Sequence, residues 1–225
     1  MVECSGIRLE HISFRIEDFT LKDVCMNVEK GEYLVLTGPN GSGKTTIMKL
    51  IAGLRKPDSG NIFISGKDVT DVPPWNRNIG YVPQDYALFP NRTVRRNIEF
   101  GLDVKKLNRS EIREKVDKMA SLLKISHLLQ RVPEGLSAGE QQKVSIARAL
   151  VLDPSVLLLD EPLSSIDEDF RDVLCAELKK LQQKIGITTV HISHNKRETE
   201  LVADRVAYLI DGKLEIAEKP INSVR

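Results

Sequence analysis

Residues Gly38 to Thr45, Gly-Pro-Asn-Gly-Ser-Gly-Lys-Thr, follow the spacing G-x-x-x-x-G-K-S/T, which suits them to hold phosphate. Gly38, Gly41 and Gly43 can take positive φ and let the main chain approach an anion, so that backbone N–H groups and a helix N-terminus together cradle phosphate oxygens. Lys44 adds a point charge for the outer phosphates. Thr45 offers a hydroxyl to Mg²⁺, whose small octahedral shell is completed by phosphate oxygens and water. Such a loop must lie between a strand and a helix. Tyr33 to Leu36 form a short apolar run of strand type, and Ile47, Leu50, Ile51 and Leu54 then recur at helical spacing.

A second group of residues complements the first. Val156 to Leu159 are unbroken apolar residues, read as a parallel strand buried on both faces, and they end in Asp160-Glu161-Pro162. Ligands of open α/β sheets bind at the carboxyl ends of strands, so Asp160 is placed to hold the Mg²⁺ shell and Glu161 to face an attacking water. Alone, the pair would read as an acidic turn; beside a phosphate loop it reads as chemistry. Between the two lies Leu136 to Gln141, where Ser137 and Glu140 form an S-x-x-E capping box opening a helix that Asp153-Pro154 stops. A helix start with a Ser hydroxyl and Gly139 is also a ready anion site.

In these segments the chain resembles, over nearly its whole length, the nucleotide-binding subunit of ATP-binding-cassette (ABC) transporters. The phosphate loop is similar to that family's at Gly38 to Thr45, the glutamine loop at Gln84, and the signature motif at Leu136 to Gln141. The acidic motif follows at Val156 to Glu161, the dimer loop at Ser164 to Asp167 and the switch histidine at His194. The order and spacing of all six are more specific than any one. The resemblance implies MgATP as ligand, with Glu161, His194, Gln84 and Lys44 as catalytic residues. It implies nucleotide contacts from Gly38, Pro39, Asn40, Gly41, Ser42, Gly43, Lys44, Thr45 and Thr46, and from Ser137, Gly139 and Glu140 of a second copy. Thr45, Gln84 and Asp160 would hold the metal. The implied fold is α/β: a P-loop NTPase core with a mostly parallel sheet (1–85 and 155–225), a small antiparallel layer, and a helical lobe at about 86–154, in a single domain. Implied partners are a second copy or a homologous ATPase subunit, membrane permease subunits and, indirectly, a solute-binding protein. Pro73 to Pro90 is most similar to importers of sugars, polyamines and oxyanions, with molybdate or tungstate importers nearest.

The chain also departs from the family pattern. Ala138 stands where a second signature Gly is usual, Lys143 where Arg is usual, and the dimer loop reads Ser-Ser-Ile-Asp. The position of the aromatic residue that stacks on adenine falls on Ile16, with Phe14 and Phe19 flanking it and neither assigned. Soluble ABC ATPases of DNA repair or translation share the motifs but carry a coiled coil or second cassette not visible here. A non-hydrolysing regulatory module would not need Glu161 and His194.

At 225 residues and formal charge +1, the chain is long enough for a large core and has no basic bias toward nucleic acid. Cys4, Cys25 and Cys175 include no C-x-x-C pair, so free, inert thiols are expected and zinc is not. His191 and His194, three apart on a strand, should point to opposite faces. No apolar run is long enough to span a membrane and the N-terminus is no signal peptide, so a cytoplasmic protein docked on the inner face of the membrane through its permease is expected. The end near Arg225 leads to the expectation that the C-terminal regulatory domain of many importer ATPases is absent.

Periodicity supplies the remaining elements. Val2 to Tyr33 and Asn61 to Ser65 read as short strands, with turns at Ser59-Gly60 and Ser65-Gly66. Ser110 is expected to cap a helix with an Ile112, Val116, Met119, Leu122 and Leu123 face, supported by Glu111–Lys115 and Glu114–Lys118 pairs. Phe170, Val173, Leu174, Leu178, Leu181 and Ile185 read as one apolar helix face ending at Gly186. Asp211-Gly212 signals a hairpin.

Overall fold

The computed structural model describes residues 5–17 and 19–217, so Cys4 and the first and last few residues lie outside it. In chain order the strands are β1 (Ser5–Ile16), β2 (Phe19–Glu29), β3 (Tyr33–Thr37), β4 (Ser59–Ile64), β5 (Lys67–Asp68), β6 (Ile79–Val82), β7 (Val156–Asp160), β8 (Thr188–Ile192), β9 (Arg205–Ile210) and β10 (Lys213–Ala217). The helices are α1 (Lys44–Ile51), α2 (Val94–Val104), α3 (Arg109–Leu122), α4 (Ala138–Leu150), α5 (Glu168–Ile185) and α6 (Lys196–Val202).

Six strands form the central sheet in the order β10-β9-β3-β8-β7-β6, parallel except for β10, and four form an antiparallel sheet, β2-β1-β4-β5. β7 and β8 are buried along their whole length, and β3 over Tyr33 to Leu36, because both faces of the sheet are covered. Leu34 and Leu36 of β3 and Val156 and Leu158 of β7 pack with α1 and the antiparallel sheet. Their alternates, Tyr33, Val35, Leu157 and Leu159, pack with helices α2 to α5. Each such fully buried aliphatic side chain contributes about 1.5–3 kcal/mol, so a charge at Leu158 would strike the core directly.

Because β3, β8, β7 and β6 run parallel, their carboxyl ends share one edge. That edge is what assembles the site. Thr37 of β3 leads into the phosphate loop, Val82 of β6 into Gln84, Asp160 of β7 into Glu161, and Ile192 of β8 into His194. The hairpin at Asp211 (φ 48) and Gly212 (φ 73) and the left-handed Gly186 (φ 71) match their turn signals.

Several local expectations are corrected. Asn108, not Ser110, caps α3, in a reciprocal box with Glu111. Glu111 is thus engaged at the helix start, and Lys115 pairs with Asp153 rather than along the helix. Ser59-Gly60 opens β4 instead of forming a turn; Gly60 takes φ 89 where a Cβ would meet the carbonyl oxygens of Glu10 and His11. The first two strands are long, not short. On α5, Leu174, Leu178 and Leu181 are buried, whereas Phe170, Val173 and Ile185 are exposed.

Candidate active site

Gly38 and Gly43 show why the loop needs glycine. A Cβ at Gly38 (φ 146) would lie 2.2 Å from the Leu209 carbonyl oxygen, and one at Gly43 (φ 102) would lie 2.1 Å from the Phe19 ring. Gly43 stands at the N-cap of α1 with no side-chain cap, and the first turn holds no acidic residue, so its N–H groups are left for an anion. Ser42 Oγ is shielded from solvent without a hydrogen-bond partner among the described residues, a polar atom that a phosphate oxygen would satisfy. Lys44 Nζ donates to the carbonyls of Gly38 and Pro39 at 2.9 Å each, which holds the ammonium across the loop. Burial pulls its pKa below the usual lysine value, while Glu161 and Asp160 act to raise it. Asn40 and Gly41 are exposed at the loop tip, and Thr46 lies in the first turn of α1.

Asp160 sits beneath this loop. Thr45 Oγ1 donates to its Oδ1 at 3.1 Å and the Tyr81 hydroxyl to its Oδ2 at 2.9 Å. Burial first, then the charge of Asp160 and its hydrogen bond, push the Tyr81 phenol well above its usual range, so it remains a donor. Thr45 and Asp160 therefore present two oxygen donors side by side, a fit to the hard-oxygen preference of Mg²⁺. Glu161 follows with φ 48, a left-handed conformation rare for a non-glycine residue and concentrated at functional sites. Its N–H donates to the Ile192 carbonyl at 3.2 Å, and its own carbonyl accepts from Ser164 Oγ at 3.0 Å. Gln84 Nε2 donates to Glu161 Oε2 at 3.4 Å, and His194 Nδ1 lies 3.7 Å from Oε1. Three residues far apart in sequence thus meet at one carboxylate.

A buried network supports His194. His191 is fully buried, its Nδ1 2.9 Å from the Tyr33 hydroxyl and its Nε2 2.9 Å from Glu198 Oε1. Burial pushes the Glu198 carboxyl up, but His191 and the Ser193 hydroxyl outweigh it and hold the group below the usual carboxylate range. Ser193 Oγ donates to Glu198 and accepts from the Asn195 N–H, which fixes the residues flanking His194. His194 itself lies past the end of β8 and is exposed, so the two histidines separate by burial rather than by opposite faces of one strand.

Ser137, Gly139 and Glu140 lie elsewhere, at the N-terminus of α4. The capping box is complete: Ser137 Oγ accepts from the Glu140 N–H at 3.3 Å, and the Ser137 N–H donates to Glu140 Oε2 at 2.9 Å. Glu140 is engaged in this cap, Ser137 is exposed, and Ala138 turns toward the apolar cluster of the helical lobe. Among the described residues no hydrogen bond joins these three to the phosphate loop. Lys143 reaches Glu177 of α5 at 2.6 Å, so a single ion pair serves where a fork would be usual.

Tyr81, Ser193 and Glu198 were missed by sequence reasoning: Tyr81 reaches Asp160 across 79 residues, and the Ser193–Glu198 bond spans the turn from β8 into α6, where no motif marks either residue. Arg148 and Ser145 of α4 are a further case. Arg148 donates to the carbonyls of Ala87 at 2.6 Å and Tyr86 at 2.8 Å, and Ser145 Oγ donates to Tyr86 at 2.9 Å. Tyr86 (φ 59) and Ala87 (φ 44) are both left-handed, so the helix that begins at Ser137 grips the bent segment just after Gln84. Arg148→Ala is expected to lower stability by about 1.5–3 kcal/mol, the scale of charged hydrogen bonds, and Arg148→Lys to restore only part of it because an ammonium lacks the fork. Urea unfolding checks this; an unchanged midpoint in Arg148→Ala would show that the grip contributes nothing.

Comparison with known proteins shows the family and the fold. A family model described as ABC transporter matches residues 21–164. The molybdate/tungstate import ATP-binding protein WtpC of Thermococcus kodakarensis is 46% identical over 92% of this chain and 63% of its own length. WtpC of Methanocaldococcus jannaschii is 45% identical over 96% of this chain and 73% of its own. The sulfate/thiosulfate import ATP-binding protein CysA of Synechococcus elongatus is 42% identical over 96% and 63%. The chain thus spans about 63% of the first of these relatives. Among solved structures, the dimeric post-hydrolysis state of the ATP-binding cassette MJ0796 bound to ADP and Pi superposes with a TM-score of 0.82 at 28% identity, over 94% of this chain and 98% of that one. CbiO1 of Clostridium perfringens, part of the ABC transporter complex cbiONQ, gives 0.87 at 30% identity, over 97% and 90%.

Proposed function

The chain belongs to the ABC transporter family, and from that membership we propose that it is an ATP-hydrolysing importer subunit that works as a dimer around two ATP molecules. The observation that carries the reading is the convergence of Gln84 and His194 on Glu161, next to the Thr45–Asp160 pair and the phosphate loop. Glu161 would orient and polarise the attacking water, and His194 and Gln84 would report the γ-phosphate beside it. Thr45 and Asp160 would hold Mg²⁺, joined by Gln84 in this reading; bound there, the ion would neutralise phosphate charge. Ser137 and Gly139 of one copy would close over the γ-phosphate held by Lys44 of the other, which gives two equivalent sites in one two-fold interface. Glu140 would keep Ser137 in place. Hydrolysis removes the shared ligand and lets the interface open.

Among the described residues no helix is long and apolar enough to cross a membrane. In this reading transport runs through separate membrane subunits, with this subunit docked on their cytoplasmic face. Phe89, half-buried, stacks edge-on against exposed Phe100 at 4.8 Å, with the Arg92 guanidinium over both rings, an aromatic and cationic surface suited to a membrane subunit's amphipathic helix. We further propose molybdate or tungstate as the transported solute, by likeness to the WtpC relatives. Vesicles reconstituted with this chain and its membrane subunits, a solute-binding protein outside and ATP inside, should accumulate tungstate or molybdate. Uptake of sulfate or spermidine instead would reassign the solute and leave the motor; no ATP-dependent uptake of any of the four would count against an importer.

A further inference from the structure

On the solvent face of the β1–β2 hairpin, His11, Asp23 and Cys25 bring one donor atom each within 4.8 Å of one another. Asp23 and Cys25 are two residues apart on β2 and so share a face, while Val24 and Met26 alternate into the core. His11 arrives from β1 at an irregularity: the register slips between Leu9 and Ile12 and again between Ile12 and Phe14. His11 (φ 52) and Asp23 (φ 54) are both left-handed there. A bulge of this kind re-aims a side chain, and here it turns His11 toward Asp23 and Cys25.

The contacts converge on one atom. His11 Nδ1 lies 2.7 Å from Asp23 Oδ1 and 3.8 Å from Cys25 Sγ, and the His11 backbone N–H donates to the same sulfur at 3.3 Å. A nucleophilic relay would place thiol and carboxylate on opposite ring nitrogens. Both address Nδ1 here, the arrangement of groups that share a central ion.

We propose that His11 Nδ1, the Asp23 carboxylate and the Cys25 sulfur form a surface site for a borderline-soft divalent transition metal, with Zn²⁺ the ion that fits the donor set. Imidazole, thiolate and carboxylate are its usual ligands, and tetrahedral zinc would hold nitrogen and sulfur about 3.6 Å apart, near the separation already present. Nitrogen and carboxylate oxygen would open to about 3.3 Å as the ion replaces the hydrogen bond between them. Binding releases the Cys25 thiol proton to solvent and moves the neutral imidazole's proton to Nε2. A fourth position remains for water. The site runs against the expectation drawn from cysteine spacing, because its ligands lie on paired strands and not within one short motif. Cys175, by contrast, is buried and its thiol is pushed up to about 12 by burial first and Glu198 next, in keeping with an inert role.

The test uses the whole chain without nucleotide in metal-free buffer, with Co²⁺ as the spectroscopic probe and Zn²⁺ in calorimetry. One Co²⁺ per chain should bind with a thiolate-to-metal charge-transfer band that Cys25→Ser abolishes and Cys4→Ser retains. Zn²⁺ affinity should fall at least tenfold in Cys25→Ser and in His11→Asn, the latter chosen because Asn tolerates the left-handed backbone. Saturating Zn²⁺ should raise the parent chain's melting temperature, since the ion ties β1 to β2, and should raise it less in both variants. No charge-transfer band, a band kept in Cys25→Ser, or equal Zn²⁺ affinity in His11→Asn would each overturn the proposal. All three side chains are exposed, so the variants should retain the core, which circular dichroism checks.

Discussion

Glu161→Gln is expected to slow MgATP hydrolysis by roughly a hundredfold or more while ATP binding stays near that of the parent chain. The amide keeps the size of the carboxylate and can still accept the Gln84 hydrogen bond at Oε1 or meet His194 with its nitrogen. It lacks the negative charge that polarises water. The effect therefore falls on the transition state and spares the ground state, whose contacts come from the phosphate loop. Phosphate release and nucleotide titration separate the two. Hydrolysis at the parent rate would show that Glu161 is not the catalytic carboxylate, and the convergence of Gln84 and His194 on it would then need another explanation.

Lys44→Ala should act on the other side of that division, weakening ATP binding itself. The Lys44 ammonium lies across the loop on the carbonyls of Gly38 and Pro39, where it would meet the outer phosphates. Loss of one charged hydrogen bond of about 1.5–3 kcal/mol corresponds to about 10- to 150-fold in affinity. The change also removes the two hydrogen bonds that Lys44 makes to the loop carbonyls, while the close approach of Gly38 to Leu209 and of Gly43 to Phe19 remains. Titration with a fluorescent ATP analogue measures the change. Unchanged affinity would mean that the ammonium does not face the phosphates.

The elements that carry the site were legible in the sequence because their signals are local. A strand run, a glycine pattern and a helix period meet within Tyr33 to Ile51, and Val156 to Leu159 declare a doubly covered strand by having no polar face. What failed was competition between near-equal local choices. Asn108 and Ser110 both suit a helix N-cap, and the reciprocal bond with Glu111 decides for Asn108. Gly60 could serve a turn or an irregular strand start, and the close approach of the Glu10 and His11 carbonyls decides for the strand. Phe170 and Val173 fit a helical period yet face solvent, since period does not say which turns of a helix have a neighbour. Tyr81 on Asp160 and Arg148 on Tyr86 were not legible at all, being bonds across 79 and 62 residues whose partners only the fold brings together.

Ser137 and Gly139 stand apart from the phosphate loop while Gln84, Glu161 and His194 stand together, so the proposed site is complete only with a second copy. Light scattering coupled to size-exclusion chromatography of Glu161→Gln measures this directly. In MgATP the uncleaved nucleotide should hold two chains together, and without nucleotide the same protein should run as a monomer, because a ligand stabilises the state that binds it. A Ser137→Arg change added to it should abolish the ATP-dependent dimer by crowding the shared face. Glu161→Gln that binds ATP, fails to hydrolyse it and still remains monomeric would contradict the shared site.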